Sequence, residues 1–154
     1  MTRPPGPRVL TDEALSELLG ARHFSVLATN RRDGHPHLTT MVHGWDPQTR
    51  TVRFFTTADR VKAGHLRRDP RASVHVQGDD VWSFAVAEGE AEVSEATAVP
   101  GDAVGREVLA MLPEPMRPAP EDEHAFLERL VEERRVVIRL RVRRLYGTAL
   151  DVDG

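Results

Sequence analysis

Six stretches of the chain carry strand-type patterning, and four carry the 3.6-residue spacing of helices. Val136 to Tyr146 alternates most clearly: Ile138, Leu140 and Val142 fall on one face, Arg139, Arg141 and Arg143 on the other. Ala72 to Gln77 alternates too, and Thr51 to Thr57 is rich in the β-branched and aromatic residues that suit a strand. His23 to Asn30 holds Phe24, Val26, Leu27 and Ala28, a run that predicts a central strand buried on both faces. Asp33–Gly34 turns the chain into a second strand, His35 to Trp45, where Pro36 at the start removes no inner ladder bond. Asp46–Pro47 and Asp79–Asp80 mark further turns. Trp82 to Glu95 reads as one long strand, with Gly89 predicting a bulge or bend.

The helical stretches are shorter. Thr11 caps a helix with Asp12 and Glu13 in its first turn and Leu15, Leu18 and Leu19 behind them, and Gly20 stops it. Residues 60–69 form a second helix, ended by Pro70. Asp102 to Leu112 and Glu121 to Arg134 follow, the last with Phe126, Leu127, Leu130 and Val131 as its apolar stripe. Between them, residues 113–120 are proline-rich and imply no single conformation. Residues 1–10, with three prolines, predict a flexible arm, and residues 11–154 one domain. The expected fold is mainly β: a six-stranded antiparallel barrel with appended helices. Glycine-rich Rossmann and P-loop signatures are absent.

Composition narrows the chemistry. The 154 residues include no cysteine, which excludes thiol catalysis and zinc–thiolate sites and fits a cytoplasmic protein. A net charge of −3 argues against general nucleic-acid binding, and no apolar run approaches the roughly 20 residues that span a bilayer. Seven histidines have no matching metal-ligand spacing, so no metal is expected. Of 21 Lys plus Arg, Lys62 is the only lysine, in a chain with one isoleucine and one asparagine; this is the bias of a GC-rich genome.

Three stretches could carry function. In TTADRVKAGHLRRDPRAS, Thr56 and Thr57 leave a strand, and Arg60 and Lys62 stand at the start of a helix, where open N–H groups and the helix dipole attract anions. Taken alone, those two charges fit a solvated helix face better than an anion site. In GHPHLTTMV, His37, Thr39 and Met41 share one strand face and Leu38, Thr40 and Val42 the other; they would bond the edge of a heterocycle or form a solvent-facing row. Trp82 and Phe84 could wall a flat ring or pack in the core. No nucleophile motif or acid–base pair stands out, so no catalytic residue is assigned.

The ordered set SVLATNRRDGHPHLTTMV, TVRFFTTADRVKAGHLRRDPRASV and WSFAVAEGEAEV resembles the split-barrel flavin and deazaflavin oxidoreductases related to pyridoxamine 5'-phosphate oxidase. Within that group it is most similar to the actinobacterial reductases that use coenzyme F420. The resemblance spans residues 12–95 and, more weakly, the last strand to Gly147. It implies an FMN-binding-like split barrel, a homodimer with the cofactor between subunits, and hydride transfer between reduced F420 and a small organic substrate. It also implies that Arg60 and Lys62, with Thr56 and Thr57, hold the cofactor phosphate. His37, Leu38, Thr39 and Thr40 would line the ring, with Trp82 and Phe84 nearby. FMN as cofactor, or a non-catalytic flavin, F420 or haem carrier or sensor, is the alternative. The tail RRLYGTALDVDG lacks the arginine motif with which pyridoxamine 5'-phosphate oxidase holds its substrate, so a substrate other than vitamin B6 is expected.

Overall fold

A computed structural model describes residues 6–150. Its strands are β1 Pro7–Val9, β2 Phe24–Asn30, β3 Pro36–Val42, β4 Gly44–Asp46, β5 Thr51–Thr57, β6 Arg71–Gln77, β7 Phe84–Val93 and β8 Arg135–Leu150. The helices are α1 Asp12–Ala21, α2 Val61–Arg68, α3 Ala103–Met111 and α4 Glu123–Glu132. All pairings are antiparallel, in the order β3-β2-β6-β7-β8-β5-β4, and β1 pairs with the far end of β8.

β3 and β4 lie at opposite ends of this path, yet only His43 separates them. One bent strand therefore leaves β2 and joins β5, curling the sheet into a barrel with an open seam between β3 and the end of β5. Glycine is required at the bend: a Cβ on Gly44 would stand 2.7 Å from the Met111 carbonyl. Inside the barrel, Leu27, Val52, Phe54, Val74, Ile138 and Leu140 form the core, closed by Leu19 of α1 and Leu66 of α2. Outside it, α3 and α4 set Val108, Leu127 and Leu130 on Val137. β8 is thus apolar on both faces where the helices cover it.

Eight strands stand where six were expected, for two reasons. The expected strand His35–Trp45 breaks at His43 into β3 and β4. Within the expected flexible arm, residues 7–9 pair as β1 because β8 runs past Tyr146 to Leu150 and offers an edge; Leu10 N–H adds a 3.1 Å bond to the Gly147 carbonyl. Residues 1–5 of that arm and 151–154 of the expected domain lie outside the described residues.

β2 is not buried on both faces. Ser25, Leu27 and Thr29 are buried, whereas Phe24 is 57% exposed and Val26 and Ala28 half-buried, because no helix covers the outer side of the sheet there. The proline-rich connector takes one defined path, with a 3-10 turn at Glu114–Met116 and the Arg117 side chain bonded back to α3. The Gly89 bulge occurs as expected: the β7–β8 register shifts between Glu88 and Gly89, where a Cβ would meet the Arg141 carbonyl at 1.9 Å. No helix among the described residues is long and apolar enough to cross a membrane.

Candidate functional site

The site begins where β5 hands over to α2. Arg60 N–H bonds the Thr57 carbonyl at 3.1 Å, and the Thr57 hydroxyl donates to Asp59 at 2.8 Å. Arg60 stands at the N-cap but supplies no side-chain cap, so the N–H groups of Val61 and Lys62 have no intrahelical acceptor. α1 and α3 differ: their first turns are capped by Thr11 and Asp102.

α2 is fastened to the end of β2. The Thr29 hydroxyl lies 2.9 Å from His65 Nδ1, Asn30 Nδ2 donates to Asp69 at 3.2 Å, and Arg68 donates to the Asn30 carbonyl. Ala63 and Leu66 are buried beneath the helix. These bonds fix the direction in which the start of α2 points.

Lys62 is only 9% exposed, and among the described residues no carboxylate pairs with it. Burial pushes its ammonium pKa below the ordinary lysine value, and the charges of Arg60 and Arg135 add to this. Arg134 and Arg135 reach the same corner from the end of α4. Ala58 N–H bonds the Arg134 carbonyl at 2.9 Å, and Arg135 faces Thr57 across the β5–β8 ladder. Arg135 is neutralised by Glu133 at 2.7 Å, and its guanidinium lies 5.3 Å from the Phe55 ring centre. Arg60, Lys62 and the open N–H groups of α2 therefore meet in one corner, with the Asp59 carboxylate at its edge, and their chemistry suits an anion. Thr56 is buried beside it on the inward face of β5, while Thr57 is half-buried on the outward face.

β3 divides the expected ring-lining residues. His37 and Thr39 register with Thr29 and Leu27 on the inward face. The His37 ring meets His65 of α2 edge-on at 5.3 Å, and its Nδ1 lies 3.3 Å from the Thr39 hydroxyl. Leu38 and Thr40 point outward, and Leu38 is 63% exposed. On that outer face Thr40 registers with Val26, and Val26 with His75, whose ring stacks on Phe84 at 5.5 Å. Trp82, 63% exposed, lies in the turn leading to β7.

One chain thus gathers Thr56, Thr57, Arg60, Lys62, His37 and Thr39 around α2 and leaves Leu38, Thr40, Trp82 and Phe84 outside the barrel. The structure adds Thr29, His65, Arg134 and Arg135. His65 carried a readable signal, since it stands three residues from Lys62 on one helix face. The arginines carried none, because the β5–β8 pairing brings them in from far along the chain. A separate 570 Å³ cavity lies at the other end of β3, and none of the candidate site residues expected from the sequence lines it.

Comparison with known proteins gives one consistent answer. The family described as "Pyridoxamine 5'-phosphate oxidase" matches residues 11–149. The F420H(2)-dependent biliverdin reductase of Mycobacterium tuberculosis is 31% identical over 140 residues, covering 91% of this chain and 89% of that protein. The crystal structure of the conserved hypothetical protein Rv2991, also from M. tuberculosis, superposes with a TM-score of 0.70 at 25% identity, covering 99% of this chain and 98% of that one. A structure named F420 reductase shares the fold with a TM-score of 0.59 at 24% identity, over 84% of this chain and 94% of that one.

Proposed function

The chain belongs to the pyridoxamine 5'-phosphate oxidase family, and on that premise we propose that it is an oxidoreductase that holds coenzyme F420 through the start of α2. The observation that carries this reading is Lys62: a buried lysine with no carboxylate paired to it among the described residues, beside the uncapped N–H groups of a helix. A buried charge is costly unless paired, and a phosphate supplies the missing partner. Lys62 acts as a point charge, Arg60 as a planar fork at the exposed side, and the Thr56 hydroxyl as a further donor, joined by the Thr57 hydroxyl only if it turns from Asp59.

When bound, the reduced cofactor supplies a hydride to an electron-poor carbonyl or double bond of a small organic substrate. The chain's own part is to orient and to exclude water. His65, fixed by Thr29, holds the His37 ring, and His37 and Thr39 with Leu38 and Thr40 border the open seam where the ring would lie. The M. tuberculosis relative, named for F420, and the arginine-rich composition favour F420 over FMN.

The working unit in this reading is a cytoplasmic homodimer. Phe24, Leu38, Trp82 and Tyr146 are exposed on the strands and turn that no helix covers. Joining two copies there would bury them and carry Trp82 and Phe84 of one copy towards the cofactor of the other. Leu38→Arg is then expected to convert a dimer mass to a monomer mass in light scattering and to weaken cofactor binding with it. A monomer mass for the unaltered protein would contradict the dimer.

Fluorescence titration with F420 and, separately, FMN tests the assignment. Saturable F420 binding tighter than FMN binding is expected. Lys62→Ala should weaken it about 10- to 150-fold, the equivalent of about 1.5–3 kcal/mol, with the fold intact by circular dichroism. Absence of binding to both cofactors, or unchanged affinity in Lys62→Ala, would contradict it.

A further inference from the structure

The 570 Å³ cavity has no part in that reading. It opens beside His43, just past the end of β3 and six residues from His37, or about 20 Å along the chain at ~3.3 Å per residue. Its volume falls in the range of about 300–1,000 Å³ usual for small-molecule pockets. Met111, Leu112 and Pro113 give it a buried apolar lining at the end of α3. Trp45 adds an indole that is held in place, its Nε1–H donating to the Ser16 hydroxyl at 3.0 Å.

Most of the charges around the cavity are already neutralised. Arg53 bonds Glu107 at 2.8 Å, and Arg22 pairs with Asp79. His43 is buried, and burial lowers its pKa, so its imidazole is neutral and adds no charge. Arg117 is the exception. Its Nε donates to the Leu112 carbonyl at 2.9 Å and its Nη2 to the Ala110 carbonyl at 3.3 Å. These carbonyls belong to the negative end of α3, which holds a cation in position without cancelling its charge. Among the described residues no carboxylate pairs with Arg117, and Nη1 has no partner. A guanidinium held this way on the rim of an apolar cavity presents a ready fork to a carboxylate. The exposed His23 imidazole lines the same cavity and offers a further polar contact.

We propose that this cavity is a second binding site, distinct from the α2 corner, for a small carboxylate on a flat apolar body. Arg117 takes the carboxylate, and Trp45 and the Met111–Pro113 lining cover the apolar part. The inference does not depend on which cofactor, if any, binds at Lys62.

Benzoate is the probe. The chain has two tryptophans, so Trp82→Phe leaves Trp45 as the sole reporter. Titration of that protein with benzoate should give a saturable change in Trp45 emission, whereas benzyl alcohol, of similar shape but uncharged, should bind at least tenfold more weakly. Arg117→Ala should weaken benzoate at least tenfold, and Arg117→Lys, which keeps the charge and loses the fork, several-fold. Lys62→Ala should change nothing. No saturable signal, equal binding of the two probes, or unchanged affinity in both Arg117 variants would overturn the site. Loss of benzoate binding in Lys62→Ala would overturn it as well, by placing the ligand at the α2 corner.

Discussion

Basic residues crowd both the outer side of β8 and the start of α2, but their surroundings differ. On β8, Arg139 meets Glu107 at 2.6 Å and Glu92 at 3.3 Å, Arg141 shares Glu92, and Arg143 and Arg144 face Glu90 and Glu88 of β7. Glu107 also takes Arg53 of β5. The Arg139 guanidinium, with Arg53 beside it, holds the Glu107 carboxyl below the usual range against the opposing effect of burial. At α2, Lys62 is buried with positive neighbours and, among the described residues, no acid paired with it, and its pKa moves in the direction that disfavours its charge. Counting charges along the sequence makes the two regions look alike. What separates them is supplied counter-charge: the first lattice holds the fold together, and in the proposed reading the second corner is left for a ligand.

Removing an acid from the lattice should give the largest change in stability. Glu107→Gln leaves Arg53 and Arg139 without their shared partner at a site only 19% exposed, and should cost about 2–3 kcal/mol, somewhat less than breaking a fully buried pair. Urea melts would measure this, and cofactor affinity should not change. If Glu107→Gln weakened the cofactor more than the fold, the division between the regions would fail.

Asp102→Ala is a smaller test on the same side. Its carboxylate accepts from Gly105, Ala98 and Val99 N–H and from Thr97, so its loss should cost about 1–2 kcal/mol. Burial opposes its ionisation, but those donors bring its pKa down to about 2. A folded-state value below the unfolded ~3.9 means the contribution is complete above about pH 4 and lost as pH falls towards 2. Acid melts of the unaltered protein should show this loss, and Asp102→Ala should flatten it.

The smallest effect has the opposite sign. A buried, unpaired Lys62 costs stability in the cofactor-free protein, so Lys62→Met should gain about 0.5–1 kcal/mol. Its folded pKa lies below the unfolded ~10.4, so the unfolded chain binds more protons in that window and unaltered stability should rise there with pH. Lys62→Met should remove the rise, as alkaline thermal melts would show.

Much of the fold was legible because it is written in local alternation. Ile138, Leu140 and Val142 face inward as their spacing demands, and Gly89 bulges where a side chain would strike the neighbouring strand. What was not legible depends on partners distant in sequence. The bend at His43 serves closure onto β5, the pairing of residues 7–9 needs the end of β8, and the exposure of Phe24 reflects an outer face without a helix. The site divides in the same way. Arg60 and Lys62 stand at a readable helix start, but the missing counter-charge that gives Lys62 its meaning, and the arrival of Arg134 and Arg135, exist only after β5 and β8 pair.

The central claim, that Lys62 is kept for a ligand at the expense of the fold, is tested most directly by two numbers from Lys62→Met: F420 affinity and the melting temperature of the cofactor-free protein. The account predicts that they move in opposite directions, affinity falling at least tenfold while the melting temperature rises. A lowered melting temperature with unchanged affinity would make Lys62 a structural residue and contradict the account.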